Sequence, residues 1–270
     1  GIVPVLDYFE RGTQTQLSVP LFVVKGESAY TLIAENGGES EITAALSSLE
    51  ADTERQGSAH CFTVLEIAAR LNRSGAALAC AIDPTAPEGS VPAAEEGTTL
   101  ALETGYAVFR GETLCGFLDT DAALGADLLL GFTPQASYVL SDRNGGTVTV
   151  QLHTAKASLS PVRDEEGAAL QIAVRVRAGV TESSGADTAD AEVLARLEEE
   201  LSRAVAAQIE AAVDTSKVLD ADFLELWRVL PEVKGEGALA SLRAAVRTES
   251  VLERSYDIYG SAHGEEKSHG

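Results

Sequence analysis

The sequence predicts an α+β protein of two domains, the C-terminal one a mainly antiparallel sheet packed with a long amphipathic helix and shorter helices. Two stretches, TVTVQLHTA at 147–155 and ALQIAVRVRAGV at 169–180, alternate apolar and polar residues as half-buried strands do. Residues 188–213 instead repeat apolar side chains at helical spacing. Strand pairs followed by helices, without regular β-α-β alternation, favour this class over a parallel α/β fold.

Short helices and strands are predicted in the N-terminal part of the chain. The first helix covers 2–11, and a strand follows at 17–25, where Pro20 favours an edge position or a bulge. The remaining expected elements are helices at Ser28–Ile33, Glu41–Ala51 and 62–71 and a strand at 77–82.

The composition changes at residues 83–99, DPTAPEGSVPAAEEGTT, which contain three prolines, two glycines and four acidic residues. Such a stretch has no apolar periodicity and is typical of a linker. We therefore expect an N-terminal domain at 1–85, a linker at 86–99 and a C-terminal α+β domain at 100–258. The polar residues 259–270 are expected to form a disordered tail.

The C-terminal domain is predicted to begin with two strands in 100–118 around a turn that contains Gly111. Asp119 or Thr120 is placed to cap a helix that ends at Gly131. The two long strands should form a ribbon with one side in water. The other predicted elements are a strand at 137–141, the helix at 188–213, helices at 220–230 and 238–246, and a last strand at 247–258.

The chain is strongly acidic, with 20 basic and 42 acidic residues and a net charge of −22. Such a charge repels nucleic acid, so nucleic-acid binding is set aside as a global function. The acidity serves solubility, or it complements a partner with a basic surface. The three cysteines, Cys61, Cys80 and Cys115, lie among apolar neighbours and favour buried free thiols, although one disulfide and one spare thiol is the alternative.

No residue pattern indicates catalysis, a cofactor or a metal. His60 precedes a predicted helix, where capping or exposure is expected, and His153 occupies a polar position of a half-buried strand. The glycines of ENGGES and RNGGT lack the spacing of phosphate-binding loops. Trp227 lies on an apolar helical stripe and is expected to be a core residue. We therefore expect no catalytic, cofactor-binding or metal-binding residues.

The segment YAVFRGETLCGFLD at 106–119 resembles a segment of the Ger(x)C family, the C subunits of spore germinant receptors. The positions that match the family segment include Phe109, Gly111, Leu114, Gly116 and Asp119. We expect these residues to have structural roles. The resemblance continues upstream in 2–33 and downstream in 156–182, ending at the acidic Glu182. One departure follows the long helix: Asp220, Asp222 and Phe223 fit the family pattern, but the glycine-centred part after them is missing.

The resemblance implies a non-enzymatic receptor subunit that assembles with membrane-embedded A and B subunits during nutrient-triggered germination. It also implies a lipid anchor upstream of the present chain and a location on the outer face of the spore's inner membrane. Two alternatives remain open. One is a module that binds the germinant directly in a pocket between the two halves, near residues 83–99, and the other is an unrecognised hydrolase.

Overall fold

The computed structural model describes residues 1–12, 16–26, 28–35, 38–56, 60–83, 103–132, 136–141, 146–165, 167–184, 186–188 and 190–253. Within these ranges six α-helices and eight strands form two four-stranded sheets. The mixed α and β content and the mainly antiparallel second sheet confirm the predicted fold class.

The first sheet has the strand order β1-β2-β3-β4. Its strands are β1 (Phe22–Val24), β2 (Ala76–Asp83), β3 (Glu103–Arg110) and β4 (Thr113–Phe117). The pair β1–β2 is parallel and the other two pairs are antiparallel. The strand predicted at 17–25 is shorter than expected, because Pro20 lacks a backbone N–H and makes only an isolated bridge to Thr63.

Four helices accompany the first sheet: α1 (Val3–Arg11), α2 (Ala29–Glu35), α3 (Glu39–Gln56) and α4 (Val64–Ser74). The start of α4 is fixed by a capping box between Thr63 and Glu66, and its end by Gly75 in the left-handed region. The helices α2 and α3 enclose a small apolar cluster of Leu32, Ile42 and Leu49 against Ile82 of β2.

The second sheet has the order β5-β6-β7-β8. Its strands are β5 (Ser137–Ser141), β6 (Thr147–Asp164), β7 (Gly167–Ser184) and β8 (Arg243–Glu253). The ribbon β6–β7 is antiparallel along 18-residue strands, as the alternation predicted. The last strand pairs in parallel with β7, so the chain must cross from one end of the sheet to the other before β8 begins.

Two helices pack together beside the second sheet: α5 (Thr120–Leu130) and α6 (Ala191–Val218). The predicted stripe on α6 is buried through Leu197, Leu201, Val205, Ile209 and Val213. The two helices cross closely at Gly125. A Cβ atom added there would lie 2.0 Å from the backbone oxygen of Gln208.

The prediction of a helix at 220–230 is wrong. Only Leu226–Arg228 forms a short 3-10 turn, and Asp220 and Glu225 adopt left-handed backbone conformations with φ of 48° and 57°. The carboxylate of Asp222 accepts the backbone N–H groups of Leu226 and Trp227, which replaces the hydrogen bonds of a regular helix. The prediction of a helix at 238–246 is also wrong, because only Ala238–Ser241 forms a 3-10 turn and β8 begins at Arg243.

The main apolar core extends from Ile2 to Leu252 and joins both sheets. The linker predicted at 86–99 and the tail predicted at 259–270 lie outside the described residues. The strands on either side of the linker, β2 and β3, pair with each other in the first sheet. The division into domains at 1–85 and 100–258 stays a prediction.

Candidate functional site

The family-like segment 106–119 forms the hairpin β3–β4, as predicted. Phe109 is buried in the core next to a register shift in the hairpin. Gly111 has a φ of 55°, which accounts for glycine in this tight turn. Gly116 faces the side chain of Leu219 at the end of α6, where an added Cβ would be 3.3 Å from Leu219 Cδ2. Leu114 is 41% exposed.

Two further predicted positions, Asp119 and Glu182, lie on different elements of the C-terminal part. Asp119 is the N-cap of α5, and its carboxylate accepts the backbone N–H of Ala122 at 2.8 Å. Glu182 is exposed near the end of β7, opposite Thr149. The structure therefore does not bring Glu182 together with the hairpin residues in one site.

A buried polar chain connects the first sheet to α5. The backbone N–H of His60 donates to the Tyr106 hydroxyl, which in turn donates to Asp127 Oδ1. Asp127 is 2% exposed, and burial raises its pKa to about 7, although the Tyr106 hydrogen bond opposes the shift. The ring of His60 stacks on Phe132 at 4.0 Å, so this histidine is part of an aromatic cluster, with neither the simple capping role nor the exposure predicted for it.

Asp127 and Tyr106 have the residue types of an acid–base pair, but their surroundings are those of a core. Burial also raises the pKa of the Tyr106 hydroxyl well above its usual value, with the Asp127 carboxylate adding to the shift. Tyr106 borders a cavity of about 230 Å³ near Asp83 and Gly105, the strand ends that flank residues 84–102, whereas Asp127 is not in its lining. The pair is therefore assigned a structural role, as a bridge between β3 and α5.

A second polar cluster lies where the segment 219–242, which follows α6, meets the first sheet. Arg110, at the end of β3, pairs with Asp220 at 2.7 Å. The same carboxylate accepts the backbone N–H of Gly237 at 2.9 and 3.0 Å. Asp220 therefore ties β3 to two points of the segment, and this accounts for its unfavourable left-handed conformation.

Glu225 is the centre of this cluster. Its side chain is only 7% exposed and faces three guanidinium groups: Arg70 Nη1 at 3.4 Å, Arg73 Nη2 at 3.8 Å, and Arg228 in closer contact. Arg70 also lies over the ring of Phe62 at 4.7 Å, and burial lowers its pKa from the ordinary value, against the opposing effect of Glu225. The cluster therefore joins α4 to the connecting segment and carries more positive than negative charge.

A cleft of about 540 Å³ opens beside these ion pairs. Its walls are formed by the end of α4 and start of β2 (Asn72–Ala76), by Arg110, and by 220–239. The side chain of Trp227, predicted to be a core residue, lines the cleft and is partly buried. Lys234 Nζ lies 5.0 Å from the centre of its ring.

Sequence reasoning missed this cleft. Arg70 and Arg73 lie far from Glu225 in the chain, and only tertiary packing brings them together. The one signal was the family-like group Asp220, Asp222 and Phe223, which marked the segment but not its conformation.

The described residues do not form a metal site or a disulfide. Nowhere in the described ranges do three or more His, Cys, Asp or Glu side chains gather as metal ligands would. Cys61, Cys80 and Cys115 are free thiols, the first two buried. Among the helices that the structure describes, none combines the length and the apolar character needed to cross a bilayer.

Comparison with known proteins shows which family the chain resembles. Residues 104–232 match the family model described as spore germination B3/GerAC-like, C-terminal. The solved crystal structure of the GerBC protein has the same fold, with a TM-score of 0.67 and 15% sequence identity over 93% of this chain and 74% of that one. No curated protein gives a significant match. The matched region includes the hairpin β3–β4, both long strands, α6 and Glu225, and over residues 104–232 the chain is similar to the C-terminal domain of the spore germination B3/GerAC-like family.

Proposed function

We propose that this chain is a non-enzymatic C subunit of a spore germinant receptor, which assembles with membrane-embedded A and B subunits. The observation that carries the proposal is the match of residues 104–232 to the family's C-terminal domain. The family is one of germinant-receptor subunits and not a known enzyme family. An upstream lipid anchor, on the outer face of the spore's inner membrane, is part of the same proposal.

The solvent-facing side of the second sheet is the surface that we propose for subunit contact. On its other side the sheet packs against α6. The free side exposes Val139 on β5 and Val251 on β8, at 69% and 46%. Arg175 and Arg177 of β7 lie between them and pair with acidic residues of β8 at 3.4 and 2.5 Å.

The dimensions of this face suit a protein interface. The four strands have 5, 18, 18 and 11 residues, and at about 3.3 Å per residue and about 4.8 Å between strands they cover roughly 800 Å². A standard interface buries about 800 Å² on each partner. Taken as a whole, such interfaces are about as apolar as the rest of a protein surface, so a face that combines valines with ion pairs is compatible with one.

The test uses the full-length, tagged protein in spores that lack the untagged copy. The tagged protein is isolated from detergent-solubilised spore membranes, and its partners are identified by mass spectrometry. We expect the A and B subunits to be recovered with it. If neither subunit is recovered, and deletion of the gene leaves nutrient-triggered germination at its normal rate, the assembly role is refuted.

The double variant Arg175→Glu, Arg177→Glu tests the proposed face separately. We expect lower recovery of the A and B subunits, because charge reversal opposes any complementary partner. Arg203→Glu, on the exposed side of α6, makes the same change elsewhere and should keep recovery normal. Equal recovery with both variants would move the contact to another surface while leaving the subunit assignment intact.

A further inference from the structure

More Lys and Arg side chains than Asp and Glu side chains lie in or directly next to the cleft beside Glu225. Five of the chain's 20 Lys and Arg residues lie in it or directly next to it, in a protein with a net charge of −22. They are Arg70, Arg73, Arg110, Arg228 and Lys234. Such a local excess of positive charge on an acidic protein attracts anions into a concave site.

Three of the four acidic groups that the structure describes in or next to the cleft, all except Glu236, are already occupied by donors of the protein itself. Asp220 holds Arg110 and the Gly237 backbone N–H. The Asp222 carboxylate caps two backbone N–H groups, at 2.8 and 2.9 Å. Glu225, which lies next to the cleft, is surrounded by guanidinium groups. These carboxylates therefore do not neutralise the remaining cations at the cleft wall.

Two cations in the wall keep donors available. Arg73 is half exposed, donates its Nε to the carbonyl of Ala69, and is 3.8 Å from Glu225 through Nη2. No carboxylate in the described part of the chain pairs with Lys234, whose ammonium group lies over the ring of Trp227. Both side chains line the same cleft.

Trp227 lines the cleft with its side chain. Its indole Nε1 is buried and has no hydrogen-bond acceptor among the residues that the structure describes. Buried indole N–H groups usually have a partner, and a missing one is destabilising. Because this atom is closed to solvent, a ligand in the cleft would meet the indole ring and not its N–H group.

We propose that this cleft binds a small organic carboxylate. Arg73 and Lys234 would balance its charge, and the side chain of Trp227 would form one wall of the site. The planar guanidinium group matches a carboxylate with two parallel hydrogen bonds. The cleft of about 540 Å³ lies in the range typical of small-molecule sites.

A monoanion fits the cleft better than a dianion. Asp220 and Glu236 are also in the lining, and their negative charges would oppose a second charge on the ligand. Inorganic phosphate, which is largely divalent above neutral pH, is therefore the competitor that the test must distinguish.

The experiment uses the fluorescence of Trp227, which is the chain's single tryptophan. The purified chain is titrated with sodium acetate, sodium butyrate, sodium phosphate and sodium chloride at matched ionic strength and at pH 8. The melting temperature is recorded in parallel, because a ligand that binds only the folded state must raise it. We expect a saturable fluorescence change and a higher melting temperature with the two carboxylates, and neither with chloride.

Variants assign the response to the cleft. Arg73→Gln and Lys234→Gln should each weaken carboxylate affinity by roughly tenfold, whereas Arg203→Gln on the exposed side of α6 should leave it unchanged. Lys234 has no ion pair to lose, so its variant remains informative if Arg73→Gln folds poorly. The absence of a saturable response, a response to phosphate alone, or equal affinity in the folded variants would overturn the proposal. None of these results bears on receptor assembly.

Discussion

Replacing Gly125 by alanine tests the close contact between the helices α5 and α6. A Cβ atom at this position would lie 2.0, 2.5 and 2.9 Å from three backbone atoms of Gln208 and Ile209. Backbone atoms of α6 cannot rotate aside as a side chain does. The two helices would have to separate by more than 1 Å to restore ordinary contact near 3.4 Å.

The expected magnitude is the difference between two opposing effects. Overpacking of a well-packed core costs about 1–3 kcal/mol and sometimes more. Alanine favours a helix over glycine by about 1 kcal/mol. Because three backbone atoms of α6 are overlapped at once, we take the upper end of that range, about 3 kcal/mol, and subtracting the helix preference leaves a net loss of about 2 kcal/mol in the free energy of unfolding. For a chain of this size that corresponds to a melting temperature lower by roughly 4–8 °C.

Gly179→Ala is the matched control for this prediction. An added Cβ there would lie 2.5 Å from the ring of His153, so the overlap judged by distance alone is similar to that at Gly125. His153 is exposed and can swing away, losing only a surface contact with Glu253 at 3.4 Å. We expect a loss below about 1 kcal/mol. Thermal unfolding followed by circular dichroism measures both variants, and a Gly125→Ala melting temperature at or above that of Gly179→Ala would refute the reasoning.

Two further predictions concern buried charges. Burial raises the pKa of Asp127 to about 7 from an ordinary 3.8, so the folded state binds the carboxyl proton more tightly than the unfolded state does. Protonation of Asp127 therefore stabilises the fold at low pH, and this stabilisation is lost as the pH rises from about 4 to about 7. The free energy of unfolding, measured in urea, should therefore be higher at pH 5 than at pH 8, and Asp127 should account for up to roughly 3 kcal/mol of that difference. The variant Asp127→Asn can still accept the hydrogen bond from Tyr106 but cannot titrate, so it should remove this part of the difference. An unchanged difference between the two pH values would contradict the assignment. Glu225→Gln should lower stability by about 2–3 kcal/mol, because it leaves Arg70 partly buried without its countercharge. Glu199→Gln, an exposed change of the same chemistry, should have no measurable effect in the same urea titrations, and equal losses in both variants would argue against the cluster.

Elements with a strong local signal were predicted correctly from the sequence. The alternation in 147–155 and 169–180 predicted the ribbon β6–β7, because one side of that ribbon is buried and the other is wet. The helix α5 was delimited by Asp119 and Gly131, whose capping roles depend only on neighbouring residues. The long stripe of α6 was equally clear, since a 28-residue helix repeats its pattern many times.

The segment after α6 was predicted wrongly for a physical reason. Phe223, Leu226 and Leu230 have helical spacing, but a buried irregular segment satisfies the same apolar pattern. Its conformation is decided by Asp222 capping backbone N–H groups and by Glu225 reaching arginines of α4. Those partners are distant in sequence, so the cleft that they border had no local signature.

The parallel pairing of β7 and β8 has a consequence for the order of folding. Ala169 pairs with Arg243, which is 74 positions later in the chain, whereas the hairpin β6–β7 closes over a few residues. Closing a long loop costs more chain entropy and slows pairing. The ribbon and α6 can therefore assemble while β8 is still unpaired, and the sheet acquires its final edge only when the segment that carries Glu225 has been positioned. We therefore expect the pairing of β8 with β7 to be a late step in folding.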